Sequence, residues 1–344
     1  MHPLINLSSI ISSSQLRYKE YSENLTLRWG LPDGTLQQAI LADILQGGRQ
    51  HIRGLKKLRG RSLYDLCDSF DELRDIASLD PCNDFLLQLL VICLEESLPD
   101  QVAKLRSDLR GKDIILHLGC KSRIRRARSS IASFVSNTSN SAHVIAVGTH
   151  CSVPPNKLVF DWDGEVLYLP VPDSYEYLAD KVFYSYFLLY LLVRPAYIIK
   201  IDDDHHLSDL SRFQTYLNFI KSNDIVYSGH VLKGQHFDMQ QGWHVGKCSN
   251  RKLSRMGYQM PFPSTYADGG FGYVLGSTGL LACTRMYLSM QAFFNLNSVQ
   301  LEDVFVGHAL QAAHLPLHDC FQGYGFHPED KLFAASLPGL RRLL

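Results

Sequence analysis

The run Pro195 to His206, Pro-Ala-Tyr-Ile-Ile-Lys-Ile-Asp-Asp-Asp-His-His, constrains this chain more than any other stretch. Ala196 to Ile201 is apolar and β-branched, which predicts a buried strand. The strand stops at three adjacent carboxylates, which repel one another and need a compensating cation. In extended geometry Asp202 and Asp204 point to one side and Asp203 to the other. Oxygen donors two residues apart, at the carboxyl end of a central strand, suit a hard divalent ion that also holds phosphates. An acidic turn that only caps a following helix, at Leu207 to Leu217, reads the same way.

Around this stretch the pattern is that of an α/β protein. Residues 1–110 read as a helical N-terminal region of unknown role, with helix-spaced leucines over Thr35 to Leu45, Ser62 to Ile76 and Asp84 to Leu98. Gly47-Gly48, Gly60 and Pro81 punctuate it. From residue 111 to 344 strands and helices alternate. Ile114 to Leu118, Val144 to Val147 and Val166 to Val171 read as strands, and Arg123 to Phe134 and Tyr177 to Val193 as helices. That alternation predicts a largely parallel sheet with helices on both faces, and ligands beyond the carboxyl ends of its strands.

Charge narrows the function. Lys plus Arg and Asp plus Glu both number 34, so no global field draws the chain to nucleic acid or to an anionic membrane. Anion binding must then be local. No window approaches the ~20 apolar residues of a spanning helix, and no signal-peptide pattern is seen. Phe183 to Val193 is too short, is bracketed by Asp180, Lys181 and Arg194, and reads as a core helix. The eight cysteines fall in no paired short-spacing motif. Reduced thiols and a cytoplasmic location are the simplest expectation.

Several further segments carry chemistry only in combination. Lys121, Arg123, Arg125, Arg126 and Arg128 form a positive cluster after the first strand, with Arg125 and Arg128 three apart on one helix face. That place suits a diphosphate, or is a solvated basic face. Asp173 is an N-cap or a ligand contact, and Lys181 a surface residue or a phosphate partner. Gly269, Gly270 and Gly272 let backbone approach a ligand closely, or simply make a turn. Glu302-Asp303 opens a helix, where acids favour the dipole, or supplies a general base. His327 could complete a two-carboxylate metal site.

In order, these segments resemble the inverting β1,3-glycosyltransferases of the family that includes the β1,3-galactosyltransferases, Fringe and the core 1 galactosyltransferase. The resemblance runs from about Asp113 to Lys331. Arg123 to Ser133 is similar to that family's arginine-containing helix, with Arg128 near its Ile-Arg-x-Thr-Trp position and Ser129-Ser130 in place of Thr-Trp. Asp173-Ser-Tyr175-x-x-Leu178-x-x-Lys181 resembles its Asp-x-Tyr-x-Asn-Leu-Thr-x-Lys segment. Lys200-x-Asp-Asp-Asp204 matches its metal motif, and Trp243-His-Val its tryptophan segment. Tyr266 to Leu275 resembles its Gly-Gly-x-Gly-Tyr-Val-Leu run, with Asp268 where a small residue is usual. Glu302-Asp-Val-Phe-Val-Gly307 and Gly325-Phe-His-Pro328 match two further blocks.

The resemblance implies a GT-A-like fold, with a Rossmann-like mixed sheet and helices on both faces, a UDP-sugar donor, Mn²⁺ or Mg²⁺ as cofactor and a glycan or glycoconjugate acceptor. Under it Asp204 and His327, with Asp202, hold the metal, and Asp202 and Asp203 contact ribose or metal-bound water. Arg128, Asp173 and Lys181 line the nucleotide pocket, and Gly269 and Gly270 admit the donor sugar. Asp303 is the base, and Trp243 and Tyr266 meet the acceptor. Two other readings compete. Asp204-His205-His206 is also the triplet of one class of metal-dependent phosphoesterase, and a carbohydrate-binding protein without catalysis would keep the same fold.

Overall fold

The structure, a computed structural model, describes residues 70–79, 81, 84–135, 140–149, 160–233, 247–251, 262–289, 301–319 and 324–328. The predicted helix Thr35 to Leu45, and Trp243, lie outside them.

Among the described residues three helices come first: α1 (Phe70–Leu79), α2 (Asp84–Ser97) and α3 (Pro99–Leu109). They share a core with the sheet, in which Leu73, Leu90, Leu94, Val102 and Leu105 are all buried.

From Asp113 the alternation appears as expected. β1 (Asp113–Leu118) leads through a 3-10 turn at Lys121–Arg123 into α4 (Ile124–Val135). β2 (Ser141–Gly148), β3 (Asp161–Trp162) and β4 (Val166–Leu169) follow. A second 3-10 turn at Tyr175–Tyr177 opens α5 (Leu178–Leu192), which runs toward β5 (Tyr197–Asp202). Then come β6 (His205–Leu207), α6 (Leu210–Ser222), β7 (Tyr227–Gly229) and β8 (Val231–Lys233). β9 (Thr265–Ala267), β10 (Tyr273–Gly276), α7 (Ser277–Ser289), α8 (Glu302–Ala312), β11 (His318–Asp319) and β12 (Phe326–Pro328) complete the described chain.

Among the described residues, eight of these strands form one sheet in the order β11-β7-β10-β5-β1-β2-β4-β3. β1 is parallel to β2 and β5, and β4 is parallel to β2. The sheet is nonetheless mixed, because β10 runs antiparallel to both β5 and β7. Two small pairs, β6 with β12 and β8 with β9, stand outside it.

Side-chain alternation along the strands builds two cores. Ile114, Leu116, Leu118 and Ile198 pack with α1–α3, α5 and α7 on one face. Ile115, Ile199, Ile201 and Val274 meet Phe134 of α4 and Phe213, Tyr216 and Ile220 of α6 on the other. α5 is enclosed almost all round, with both Phe183 and Phe187 fully buried, as the bracketed apolar run predicted. No described helix is long and apolar enough to cross a membrane.

One boundary differs from the sequence expectation. Leu207 ends β6 instead of opening a helix, and α6 begins at Leu210. Its cap is Asp209, whose carboxylate accepts the Arg212 backbone N–H at 3.0 Å. The three aspartates therefore cap nothing.

Candidate active site at the tip of the central strand

Parallel pairing puts the carboxyl ends of β1, β2, β4 and β5 on one edge of the sheet. Because β10 runs the other way, the turn that precedes it lands on that same edge, with Tyr273 opposite Lys200. The acidic tip of β5 and the 269–272 glycine turn are thus neighbours by topology.

Lys200 joins them. Its side chain lies in an otherwise apolar strand and is only 1% exposed. The ammonium donates to Asp202 Oδ1 at 2.8 Å, to Glu302 Oε1 at 2.8 Å and to the Gly269 carbonyl at 3.0 Å, over the Tyr273 ring. Burial works against its charge, but the two carboxylates outweigh burial and hold its pKa well above the usual lysine value. One buried cation therefore ties β5, the glycine turn and the start of α8 together across a hundred residues of chain.

The aspartates do not alternate as an extended strand would place them. β5 ends at Asp202, and Asp203 and Asp204 form the turn into β6. Asp202 faces Lys200, whereas Asp203 and Asp204 both face Arg126, at 4.0 and 3.4 Å. Arg123 approaches Asp203 at 3.8 Å. Burial pushes the Asp203 carboxyl up to about 6, and its two aspartate neighbours outdo part of what the arginines give back. Asp204 goes the other way: burial raises it, but the His205 hydrogen bond and charge and Arg126 bring it below the usual range.

The helix that carries these arginines is pinned. The Ser130 hydroxyl donates to the His205 carbonyl, and the Leu207 N–H donates to Ser133 Oγ at 3.0 Å. Buried His117 continues the connection, 3.3 Å from Ser130 Oγ and 3.0 Å from His143. Burial, and then the neighbouring His143 and His205, keep His117 uncharged by lowering its pKa well below the usual value. This docking selects which arginines reach the acids. Arg128, singled out from the sequence, instead binds Glu165 at 2.7 Å, away from the aspartates.

Asp303 sits in the first turn of α8 with little exposure. Its Oδ2 accepts the Gly269 N–H at 3.0 Å and its Oδ1 the Val304 N–H at 2.8 Å. Burial, reinforced by Glu302, pushes its carboxyl up to about 8, which the Gly269 bond and Lys200 only partly oppose. Gly269 is thus used to approach the acid. A Cβ there would meet Glu302 Oε1 at 2.5 Å and Asp303 Cβ at 3.1 Å. Gly269→Ala is expected to cost about 1–3 kcal/mol by overpacking, read as a lower urea midpoint; an unchanged midpoint would mean the turn does not rest on α8.

Two tyrosines feel the charge of this acid. The Tyr175 hydroxyl is pushed upward by burial and then by Glu302, Asp202 and Asp303. That of Tyr266 is pushed upward by burial, Asp303 and Asp268. Tyr266 is itself buried, packed near Phe262, and Gly307 lies so close that a Cβ there would come within 2.6 Å of Tyr266 Cβ. Gly270 is exposed and its N–H donates to Asp268 Oδ1.

Asp173 and Lys181 are neither a cap nor surface residues. Asp173 accepts the backbone N–H of Lys121 at 2.6 Å and of Gly148 at 2.9 Å, and Lys181 Nζ stands 3.3 Å away. Lys181 also donates to the Gly119 carbonyl at 3.0 Å. The buried pair clamps the ends of β1 and β2. His327 lies in β12, whose backbone pairs it with His206, two residues beyond Asp204. His205 is fully buried and accepts the Asp202 N–H, while its neighbour His206 alternates to the other side of β6. Asp204-His205-His206 therefore does not present three ligands to one point.

No protein-family model matches the chain, and no curated protein is similar to it.

The donor set at the tip decides whether a divalent ion suits it. Among the described residues no three His, Cys, Asp or Glu side chains converge as a closed cage. Asp202 and Asp204 offer hard carboxylate oxygens at 38% and 22% side-chain exposure. One or two carboxylates facing solvent, with the remaining positions left to phosphates and water, are the usual holding of Mg²⁺-like ions at phosphoryl substrates. The residues fit such an ion.

The sequence placed Lys200 and Tyr175 in motifs and Arg126 in the positive cluster, but gave none of the three a role of its own. Lys200 carried a signal: a lysine between isoleucines in a buried strand demands acidic partners.

Proposed function

We propose that the protein is a metal-dependent inverting glycosyltransferase with a GT-A-like domain. It would move a hexose or N-acetylhexosamine from a UDP-sugar to a glycan hydroxyl, forming a β1,3 linkage. The observation that carries this reading is the Lys200 bridge, which holds the acidic tip of β5 beside the helix start that bears Asp303. An edge that would hold a diphosphate and a buried carboxylate would then stand side by side, as a single displacement requires.

Asp204 and Asp202, with His327, would hold the divalent ion, which supplies charge neutralisation to the departing diphosphate. The protein's own groups do the rest. Asp173 and Lys181 fix the ends of β1 and β2 beneath the nucleotide. Gly269 N–H orients Asp303, leaving its carboxylate a lone pair for the acceptor hydroxyl proton. As that proton moves to Asp303, the acceptor oxygen bonds to the anomeric carbon. The bond from that carbon to UDP breaks on the opposite face, and the electron pair stays on the phosphate oxygen. Configuration inverts once, so an α-linked donor yields a β-linked product.

A thermal-shift panel of UDP-Gal, UDP-GalNAc, UDP-GlcNAc and UDP-Glc, each with Mn²⁺ or EDTA, tests the reading. Saturating donor at a hundred times its Kd should add about 2.7 kcal/mol, visible as a rise in melting temperature with Mn²⁺ only. Asp204→Ala should abolish that rise. No shift with any donor would favour a carbohydrate-binding protein without transferase activity.

A further inference from the structure

Arg126 occupies a position that the proposed reaction cannot leave unchanged. Its guanidinium lies 3.4 Å from Asp204 and 4.0 Å from Asp203, on the carboxylate assigned above to the divalent ion. The pair is half-exposed, with Arg126 at 38% and Asp204 at 22%. The helix beneath is anchored to β6 through Ser130 and Ser133, so Arg126 stays at the tip whatever its side chain does. Arg126 and Arg123 are the guanidinium groups that offset the charge of Asp203 and Asp204, and His205 stands 3.4 Å from Asp204 on its buried side.

We propose that Arg126 is the resident counter-cation of Asp204 and passes to the diphosphate when a divalent ion binds. This rests on the transferase reading and adds a coupling to it. A cation arriving alone must take Asp204 from Arg126 and leave a guanidinium without that partner. One arriving with a nucleoside diphosphate gives the guanidinium a new partner, for which its planar fork is well suited. Ion and nucleotide therefore bind cooperatively, and by linkage each tightens the other by the same factor. The anchored helix keeps the exchange local, a swing of one long side chain between two anions.

The test is a titration of free Mn²⁺ followed by its paramagnetic resonance signal, with and without UDP, on the whole chain. In the wild type UDP should tighten Mn²⁺ binding by at least about fivefold. Arg126→Met should tighten Mn²⁺ alone by about two- to fivefold, the scale of a half-exposed ion pair, while shrinking the enhancement by UDP. Arg126→Lys keeps the positive charge and should leave Mn²⁺ alone within about twofold of wild type. If Arg126→Met leaves Mn²⁺ binding unchanged or weaker while wild-type UDP–Mn²⁺ binding is intact, the counter-cation role is overturned and the transferase reading survives. If the wild type binds UDP in no metal condition, the transferase reading falls and this inference with it.

Discussion

Replacing Lys200 with methionine is expected to remove about 3–5 kcal/mol of stability, the usual cost of stripping one partner from a buried ionic cluster. The methionine fills most of the space, so the loss is electrostatic. Asp202 and Glu302 lose the cation that each touches at 2.8 Å, and the Gly269 carbonyl loses its donor. Glu302 is buried, so its charge has little water to fall back on. In a chain of this size that loss lowers the melting temperature by roughly 4–7 °C, measurable by scanning calorimetry. Function should fail at temperatures where the fold persists, because the glycine turn and α8 are no longer tied to β5. A loss below about 1 kcal/mol would place Lys200 among ordinary surface pairs and remove the link between the two halves of the site.

The second large effect belongs to Asp303. Asp303→Asn keeps the shape and an oxygen for the Gly269 N–H but removes the proton acceptor. Transfer should fall by about 10²–10⁴, while UDP–Mn²⁺ binding stays within a few-fold. Equal loss of both would move the base elsewhere. The pH dependence gives a separate reading. A base must be deprotonated to act, so kcat/KM of the wild type should rise with pH through the neighbourhood of 8, where burial and Glu302 hold this carboxyl. Stability should run the opposite way. The folded pKa lies above that of an unfolded aspartate, so the folded state binds the extra proton, and that contribution is complete only below about pH 4. It is lost as pH rises through about 8. Asp303→Asn should flatten both profiles; a variant that retains either slope would assign that slope to another group.

Much of this arrangement is legible in the residues alone. The β-branched run from Ala196 to Ile201 predicted a buried strand, and Gly269, Gly270 and Gly272 allowed a turn, because both signals are local. The direction of β10 was not local. It depends on how the chain returns after the 269–272 turn, which periodicity does not encode, so alternation alone pointed to a largely parallel sheet and only the resemblance implied the mixed one that forms. The arginines show a similar limit. Arg125 and Arg128 are three apart, and so are Arg123 and Arg126. Spacing treats the two pairs alike. What separates them is the docking of Ser130 and Ser133 on β6, a tertiary contact made where the resemblance leads one to expect Thr-Trp. Asp173 carried a polar signal whose partners could not be named, since they are backbone groups brought together only by the strand order. Lys200 was legible in principle, because a cation among isoleucines has to be matched by acids. Which acids depends on α8 arriving from a hundred residues downstream.

The most direct measurement is calorimetric titration of UDP into the wild-type protein and Asp204→Ala, each with Mn²⁺ and again with EDTA. The account predicts measurable heat of binding for the wild type with Mn²⁺ and little or none in the other three conditions. Equal affinity with Mn²⁺ and EDTA, or undiminished binding by Asp204→Ala, would contradict the claim that the acidic tip of β5 grips a nucleotide diphosphate through a divalent ion.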